Sequence, residues 1–317
     1  MLRYVAHRLL ASIPVLFLVT LISFSLMQLV PGDPAILIAG LQATPEEVER
    51  IRHQLGLDQP FHVQLWSWYA HLLRGDLGSS LLLGRDVLDV ILERLPVSFS
   101  IALYALLLTV VVGLGTGIVA ALRQNTLVDQ LVMTVALIGV SLPNFWLALM
   151  LIVLFAVQLG WLPSGGYVDF REDLWGWLRA TTLPAVSLAM LQMGLLARIT
   201  RSTMLEVLRQ DYIRTARAKG LPIRLVVGKH ALKNVMIPVV TVLGIVLSLL
   251  LSGSVVIETI FSIPGIGSLL GSSILRRDYP VIQGGLLFVA TMLLLLNLLV
   301  DLLYAWLDPR IRYGRGE

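Results

Sequence analysis

The residue types from which hydrolytic or metal-dependent chemistry is built are sparse in this chain of 317 residues. Its five histidines are scattered, and no pair has the H-E-x-x-H spacing that places two zinc ligands on one helix face. Cysteine is absent, which excludes thiolate ligands and disulfides. No G-x-S-x-G segment is present to form the nucleophile elbow of a membrane hydrolase. The sequence therefore predicts neither a metal site nor a catalytic centre.

A nucleotide site is equally unsupported by the glycines and lysines. Only three lysines occur, Lys219, Lys229 and Lys233, and none belongs to a G-x-x-x-x-G-K-[ST] loop that would hold phosphates. The glycines of Gly113-Leu-Gly115-Thr-Gly117 lie inside an apolar run, where small residues favour close helix packing. If the protein uses ATP, another chain must bind it.

Polar side chains within apolar runs are the remaining candidates, because they are costly in lipid and often line a pathway. The amides of Gln28 and Asn297 are best explained by hydrogen bonds between helices. Asn144 and Gln192 are the candidates for a substrate pathway. Asp301 is the acid that we expect to lie nearest to burial in a span. A secondary transporter would usually carry more buried charge, or broken helices repeated in two halves.

Composition indicates that lipid surrounds most of the elements that position these residues. Hydrophobic residues make up 57% of the chain, charged residues only 14%, and the mean hydropathy is +0.84. About 18 or more uncharged, apolar residues suffice to cross a bilayer as a helix. Six runs meet that length, so we predict an all-α integral membrane protein with about six transmembrane helices. They are Leu9–Gly32, Leu95–Leu122, Gln130–Val168, Ala180–Ala197, Asn234–Ile257 and Tyr279–Val300.

Two of these runs need interpretation. The third is too long for one span, and Gly160, Pro163 and the next two glycines break it, which predicts one helix from Leu131 to Leu159 followed by a loop. In the fourth run, Pro184 is expected in the first turn of the helix, where proline is tolerated.

The distribution of basic residues predicts the orientation, since cytoplasmic loops carry an excess of lysine and arginine. With both termini cytoplasmic, 15 of the 24 basic residues lie inside, nine of them between Arg198 and Lys233. The segment from residue 31 to residue 96 is then external. Thr44, Pro45 and Glu47 predict a capped helix in it. Trp66, Trp68 and Tyr69 favour either a helix lying on the bilayer or a docking surface for an external protein.

The segment Arg198–Lys233 is the second long region outside the predicted spans. Leu205, Leu208, Tyr212 and Ala216 form one apolar stripe if the segment is a single helix, which Gly220 would end and Pro222 would follow with a new start. Two interpretations remain open at this point. The segment either binds anionic lipid or forms an elbow that docks on a partner protein.

Several segments resemble the permeases of binding-protein-dependent ABC importers, in the form typical of dipeptide and oligopeptide uptake. The strongest are Asp211–Leu221 and His230–Pro238, which are similar to the EAA motif of the cytoplasmic loop. The motif's leading Glu and Ala are replaced by Arg214 and Thr215, whereas Ala216 and Gly220 match. The resemblance extends over nearly the whole chain. It includes residues 1–34, Ser141–Trp146, Leu159–Pro163, Glu258–Gly267, Arg277–Pro280, Leu299–Tyr304 and Asp308–Arg312.

The resemblance implies the fold of a type I importer permease and a set of partners. These are a second, related permease, two ATPase subunits that bind ATP and Mg²⁺, an external solute-binding protein, and membrane lipid; nucleic acid is not among them. This chain itself would bind no cofactor. The external segment and Glu258–Pro280 would face the binding protein. The substrate would be a di- or oligopeptide, with nickel or glutathione as alternatives, and the location a bacterial or archaeal cytoplasmic membrane.

The resemblance also assigns residues and boundaries. Residues 1–93 would hold the first span and the external loop, residues 94–306 the permease core, and residues 307–317 a cytoplasmic tail. Within the core, the loop 198–233 would carry a coupling helix that docks on an ATPase. Its contacting residues would be Tyr212, Arg214, Thr215, Ala216, Arg217, Lys219, Gly220 and Leu221. A secondary transporter and a membrane scaffold are the alternatives from other functional classes.

Overall fold

The structure is a computed structural model, and it describes residues 2–29, 35–36, 43–54, 56–80 and 82–307. Thirteen helices carry labels here. They are α1 (Leu2–Leu29), α2 (Pro45–Gln54), α3 (Phe61–Leu72), α4 (Val87–Leu108), α5 (Gly115–Leu122), α6 (Leu127–Ser141), α7 (Asn144–Leu151), α8 (Leu174–Leu208), α9 (Asp211–Ala218), α10 (Ile223–Leu225), α11 (Leu232–Ile260), α12 (Ile266–Arg276) and α13 (Tyr279–Leu307). Three π-helical stretches, Thr109–Leu114, Ile152–Gln158 and Val226–Ala231, continue α4, α7 and α10.

Within the described residues, five helices or helix runs are long and apolar enough to cross a membrane. They are Arg8–Ser25, Val87–Leu122, Leu174–Leu208, Pro238–Ile260 and Tyr279–Leu302. The bent pair Leu127–Ser141 and Asn144–Gln158 makes a sixth if it counts as one span. The prediction of an all-α membrane protein with about six spans is confirmed.

The continuous helix predicted from Leu131 to Leu159 is wrong. α6 ends at Ser141, and the chain turns by 107° before α7 begins at Asn144. Leu142 is extended (φ −87°, ψ 130°), because the ring of Pro143 disfavours helical geometry in the residue before it. Pro143 therefore breaks this run earlier than the glycines at which we expected the break.

The expected start of the fourth span is also wrong. α8 begins at Leu174, where the side chain of Asp173 caps the helix by accepting a hydrogen bond from the Trp175 N–H at 3.0 Å. Pro184 therefore lies inside the helix rather than in its first turn. Just before it, the hydroxyls of Thr181 and Thr182 donate to the carbonyls of Trp177 and Leu178, four residues back.

Contacts divide the chain into two compact units, residues 1–96 with 266–295 and residues 97–265 with 296–317. In the first unit, α3 packs on α1. The Tyr69 hydroxyl lies 2.7 Å from that of Thr20, and its ring stacks on Phe17. Trp68 contacts Phe24, whereas Trp66 is 77% exposed. Two of the three aromatic residues that predicted a surface helix therefore hold α3 against α1.

Two local features of the first unit involve acidic side chains. The capping box predicted for α2 is present: the Thr44 N–H donates to Glu47 Oε2 at 2.8 Å, which keeps the pKa of that carboxyl below its usual value. In the second feature, the buried hydroxyl of Ser80 donates to Asp278 Oδ2 at 2.5 Å. This bond ties the loop before α4 to the start of α13.

In the second unit, α5, α6, α7 and α11 pack against α8. Close approach of α5 and of the π-helical stretch before it depends on glycine. A Cβ at Gly117 would lie 2.6 Å from the Ala197 carbonyl oxygen, and one at Gly113 would lie 3.0 Å from that of Met193. Gly115 has no neighbour within 4 Å of such an atom. The glycines spaced four residues apart therefore form the packing face that the sequence predicted.

Candidate coupling segment and buried polar residues

α8 and α9 are two separate helices rather than one continuous helix. α8 ends at Leu208, Gln210 is extended (φ −70°, ψ 149°), and α9 then begins at Asp211. The single apolar stripe that we expected through Tyr212 is therefore wrong. Because the helix restarts, Ile213 and Ala216 point into the core, while Tyr212 is 44% exposed.

A glycine ends α9 in the way the sequence predicted. Gly220 has φ +77°, in the left-handed region that glycine adopts without a steric penalty. Its N–H donates to the Arg217 carbonyl at 2.9 Å, and the Leu221 N–H donates to the Ala216 carbonyl at 3.4 Å. This pair of bonds is the Schellman motif, which satisfies carbonyls at the helix end.

The returning chain closes on the first turn of α9. After the π-helical stretch Val226–Ala231, the side-chain amide of Asn234 donates to the Tyr212 hydroxyl at 2.8 Å. Beneath this contact, Ile213 and Ala216 belong to an apolar cluster with Met204, Val226 and Val235. The segment 209–234 is thus a folded elbow with an apolar base.

The opposite face of this elbow is open to solvent. Of the eight residues predicted to contact an ATPase, six are exposed, Leu221 is half-buried, and Ala216 is buried. The exposed six are Tyr212, Arg214, Thr215, Arg217, Lys219 and Gly220. Arg214 lies 3.5 Å from Asp211 on the same helix. The elbow therefore exposes a short, basic helix that ends in the Gly220 turn.

A bidentate ion pair braces the helices above the elbow. Arg201 on α8 places Nε 2.5 Å from Asp129 Oδ1 and Nη2 2.7 Å from Oδ2 on α6. Asp129 is buried, and its Oδ2 also accepts a bond from the Asn125 N–H. Such two-point geometry fixes orientation as well as distance. Neither residue was a candidate from sequence, because their partnership joins positions 72 apart.

The two residues predicted for a substrate pathway lie on helices that pack together, α7 and α8. Asn144 is half-buried in the first turn of α7. Gln192 is buried on α8, and its Oε1 has no hydrogen-bond partner among the described residues. No hydrogen bond joins the two amides in that part of the chain. Their role in transport stays a prediction, since nothing in the geometry tests it.

Comparison with known families decides what kind of protein this is. Residues 113–313 match the model described as "Binding-protein-dependent transport system inner membrane component", and residues 1–102 match the corresponding N-terminal model. Together they take in nearly the whole chain. The chain belongs to this family. It is thus a multi-pass inner-membrane component of a binding-protein-dependent transport system.

Similar proteins are named for peptide, dipeptide or glutathione transport. A protein of Brucella abortus (strain 2308) named as a peptide transport system permease is 53% identical, over 98% of both chains. The dipeptide transport system permease protein DppB of Alkalihalophilus pseudofirmus is 44% identical, covering 99% of this chain and all of its own. The glutathione transport system permease protein GsiC of Escherichia coli O6:H1 is also 44% identical, with the same coverage.

A solved structure confirms the fold of this transport component. The MetNI methionine ABC transporter, solved in inward-facing conformations, matches with a TM-score of 0.58 at 18% identity. The match covers 70% of this chain and 97% of the compared one. At that identity the likeness concerns fold alone, and it agrees with the permease fold predicted from the sequence.

Glu258 corrects the expectation that Asp301 is the acid nearest to burial in a span of this membrane component. Glu258 lies within the span Pro238–Ile260 and is fully buried, whereas Asp301 is half-buried. Its Oε1 accepts a hydrogen bond from Ser98 at 2.7 Å. A Cβ at Gly265 would lie 2.3 Å from Oε2, so the carboxylate fills the space left by that glycine. The buried Glu258 carboxylate is therefore stabilised by the hydrogen bond from Ser98, and it fits into the space that a side chain at position 265 would occupy.

The amides of Asn297 and Gln28 were predicted to form hydrogen bonds between helices. The Ser248 hydroxyl donates to Asn297 Oδ1 at 3.2 Å, which joins α11 to α13 as predicted. The side chain of Gln28 lies outside the described residues.

Proposed function

We propose that this chain is the transmembrane permease subunit of an ATP-driven importer that takes up di- and oligopeptides delivered by an external solute-binding protein. The observation that carries the proposal is the exposed elbow 209–234 on an importer fold. Family membership favours this function over a secondary transporter or a membrane scaffold.

The elbow has the properties that a coupling element needs. Ile213 and Ala216 pack α9 against an apolar cluster that includes Met204 of α8 and Val235 of α11. A movement of α9 would therefore be transmitted to α8 and α11. The Gly220 turn and the Tyr212–Asn234 bond limit how α9 can move relative to its base. Its exposed residues then supply a docking surface for an ATPase subunit. Nucleotide-driven movement of that subunit would be transmitted to the membrane helices.

Three sources of support favour peptides as the substrate. The relatives from Brucella abortus, Alkalihalophilus pseudofirmus and Pseudomonas aeruginosa are all named for peptide, dipeptide or di/tripeptide transport. Glutathione is a second candidate, because the Escherichia coli relative named for it is as similar as the dipeptide permeases. Nickel remains an alternative from the sequence, and no relative described above is named for it.

The assembly would follow the resemblance noted from the sequence. A second permease would complete the pore with this chain, and two ATPase subunits would bind ATP and Mg²⁺ below it. The chain itself has no phosphate-binding loop in its sequence, so ATP hydrolysis would belong to those partners.

Reconstitution tests the proposal directly. The chain is assembled in proteoliposomes with its proposed partner permease, ATPase subunits and binding protein, and uptake of a labelled dipeptide is measured. We expect uptake that needs both ATP and the binding protein, and that unlabelled dipeptide suppresses more strongly than glutathione or Ni²⁺. An assembly whose ATPase carries a disabled phosphate-binding lysine serves as the control.

Other outcomes would contradict specific parts of the proposal. Uptake by this chain alone, driven by an ion gradient without ATP, would indicate a secondary transporter. Suppression by glutathione alone would assign the substrate to the second candidate. Binding of none of these compounds by the purified binding protein would refute the substrate class while leaving the importer assignment standing.

A further inference from the structure

A cleft of about 850 Å³ lies where α5, α8 and α9 approach one another. Three arginines line it, Arg123, Arg209 and Arg217, one from each of these regions of the chain. The rest of its wall is largely apolar and includes Leu122, Leu205 and Ile223. The cleft therefore combines a strongly cationic rim with a surface suited to hydrocarbon.

Within the part of the chain that the structure describes, the three guanidinium groups have no acidic partner. Among the described residues, none of the three side chains makes an ion pair or a hydrogen bond. Other arginines nearby do: Arg201 pairs with Asp129, and Arg214 lies beside Asp211. Like charges gathered on one cleft repel each other, so an anion in the cleft would relieve that repulsion.

The cleft lies where two long apolar helix runs end. The apolar helix run that contains α5 ends at Leu122, and α8 ends at Leu208. Arg123 and Arg209 are the residues that immediately follow. An arginine at a helix C-terminus is partly explained by the helix dipole. The dipole does not explain why the arginines from two helix ends share one cleft with Arg217 of a third helix.

We propose that this cleft binds the phosphate headgroup of an anionic phospholipid, with part of the acyl region lying on the apolar wall. Arginine presents paired N–H donors that match phosphate oxygens. Basic pockets beside membrane helices are a recurring form of headgroup recognition. An acidic segment of a partner protein would satisfy the arginines but would leave the apolar wall at the span ends uncovered. Charge and surface together favour the lipid.

Native mass spectrometry of the full chain in detergent tests this, with added phosphatidylglycerol and phosphatidylcholine as probes. We expect wild type to retain phosphatidylglycerol preferentially. Replacing Arg123→Gln and Arg209→Gln together should weaken its retention about 25-fold, since each basic residue near an anionic surface contributes a factor of about five. Arg217 is left unchanged because it also lies on the proposed ATPase-docking face.

The matched control removes the same charge elsewhere on the elbow. Arg224 and Lys229 are exposed and do not line the cleft. The double variant Arg224→Gln with Lys229→Gln should therefore retain phosphatidylglycerol as wild type does. Equal loss in both double variants would overturn the proposal in favour of net charge alone. Displacement of the lipid by inorganic phosphate at matched concentration would assign the cleft to a free anion instead.

A second measurement needs no variant and remains valid if the substitutions disturb folding. Wild-type protein is photolabelled with phosphatidylglycerol that carries a diazirine in its headgroup. We expect label in peptides that contain residues 121–124 and 205–223. Label confined to other peptides would overturn the proposal. So would loss of ATPase subunits from the Arg123→Gln, Arg209→Gln assembly with lipid retention unchanged, because the cleft would then be a protein contact.

Discussion

The side-chain amide of Asn234 donates a hydrogen bond of 2.8 Å to the hydroxyl of Tyr212. This contact joins the first turn of α9 to the start of α11, although 22 positions separate the two residues. Since α11 continues into a membrane span, the contact connects the exposed elbow with the helix that leads back into lipid.

Removing this hydrogen bond should weaken coupling more than stability. Tyr212→Phe keeps the ring and deletes only the hydroxyl, a change worth about 1 kcal/mol for a neutral hydrogen bond. We expect binding-protein-stimulated ATP hydrolysis by the assembled complex to fall about fivefold, while membrane insertion stays normal. Because both partners act through one contact, adding Asn234→Ala should cause no further loss. Additive losses would show that the two residues act independently.

The backbone of Gly220 gives a sharper test of the elbow. Gly220→Val should strain the turn by about 1 kcal/mol or more, because a β-branched residue disfavours φ +77°. We expect a complex that assembles its two permeases but loses transport and stimulated ATP hydrolysis. The measurement compares uptake and hydrolysis with those of wild type in proteoliposomes.

Gly228→Val is the matched control for that variant. At Gly220 and Gly228 alike, an added Cβ meets nothing within 4 Å, but only Gly220 has a positive φ. The control should therefore keep most of its transport. Normal transport by Gly220→Val would argue against a coupling role for α9 and for the interpretation that the basic segment only binds lipid.

Glycines in α5 predict a difference between two similar substitutions. Gly117→Ala would place a methyl group 2.6 Å from the Ala197 carbonyl oxygen, and the helices would have to separate. Overpacking of this kind costs about 1–3 kcal/mol. We expect a lower midpoint of thermal unfolding for the purified protein.

Gly115→Ala makes the same chemical change where the added atom has open space. Its unfolding midpoint should equal that of wild type or exceed it, since alanine favours helix over glycine by about 1 kcal/mol in exposed positions. Equal destabilisation by both variants would mean that helix propensity, rather than packing on α8, governs this region.

The orientation of the chain can be measured by thiol labelling, because the native protein has no cysteine. Single cysteines at Glu47 and Ser67 should react with an impermeant reagent added to intact cells, and one at Arg214 should react only after permeabilisation. All three positions are exposed, so access depends on the side of the membrane. Reversed labelling would overturn the predicted topology.

Local signals in the sequence predicted local structure well. The Thr44–Glu47 capping box and the Gly220 turn depend on residues within a few positions of one another, where steric and hydrogen-bonding rules act directly. The spans were predictable because length and polarity are strongly constrained in lipid. The bend at Leu142 could also be predicted from the sequence, because Pro143 disfavours helical geometry in the residue before it.

Contacts between distant positions could not be predicted in the same way. Asp129 and Arg201 form a bidentate pair, and Ser98 donates to Glu258 across 160 positions. Nothing in either local sequence specifies the partner, because the partner is brought there by helix packing. The uncharged run in the sequence ends at Ile257, one residue before Glu258, and only the fold reveals that Gly265 leaves room for the Glu258 carboxylate.

The length of α8 has a mechanical consequence. At about 1.5 Å per residue, its 35 residues extend over roughly 52 Å, whereas the hydrocarbon core is only about 30 Å thick. A tilt of about 5° about Arg201 would therefore displace the start of α8, about 40 Å away, by roughly 3.5 Å. Since the Asp129–Arg201 pair clamps α8 to α6 near the end that leads to α9, that pair is placed to act as a fulcrum. α8 would then be the lever arm that converts a small movement of the elbow into an opening across the bilayer.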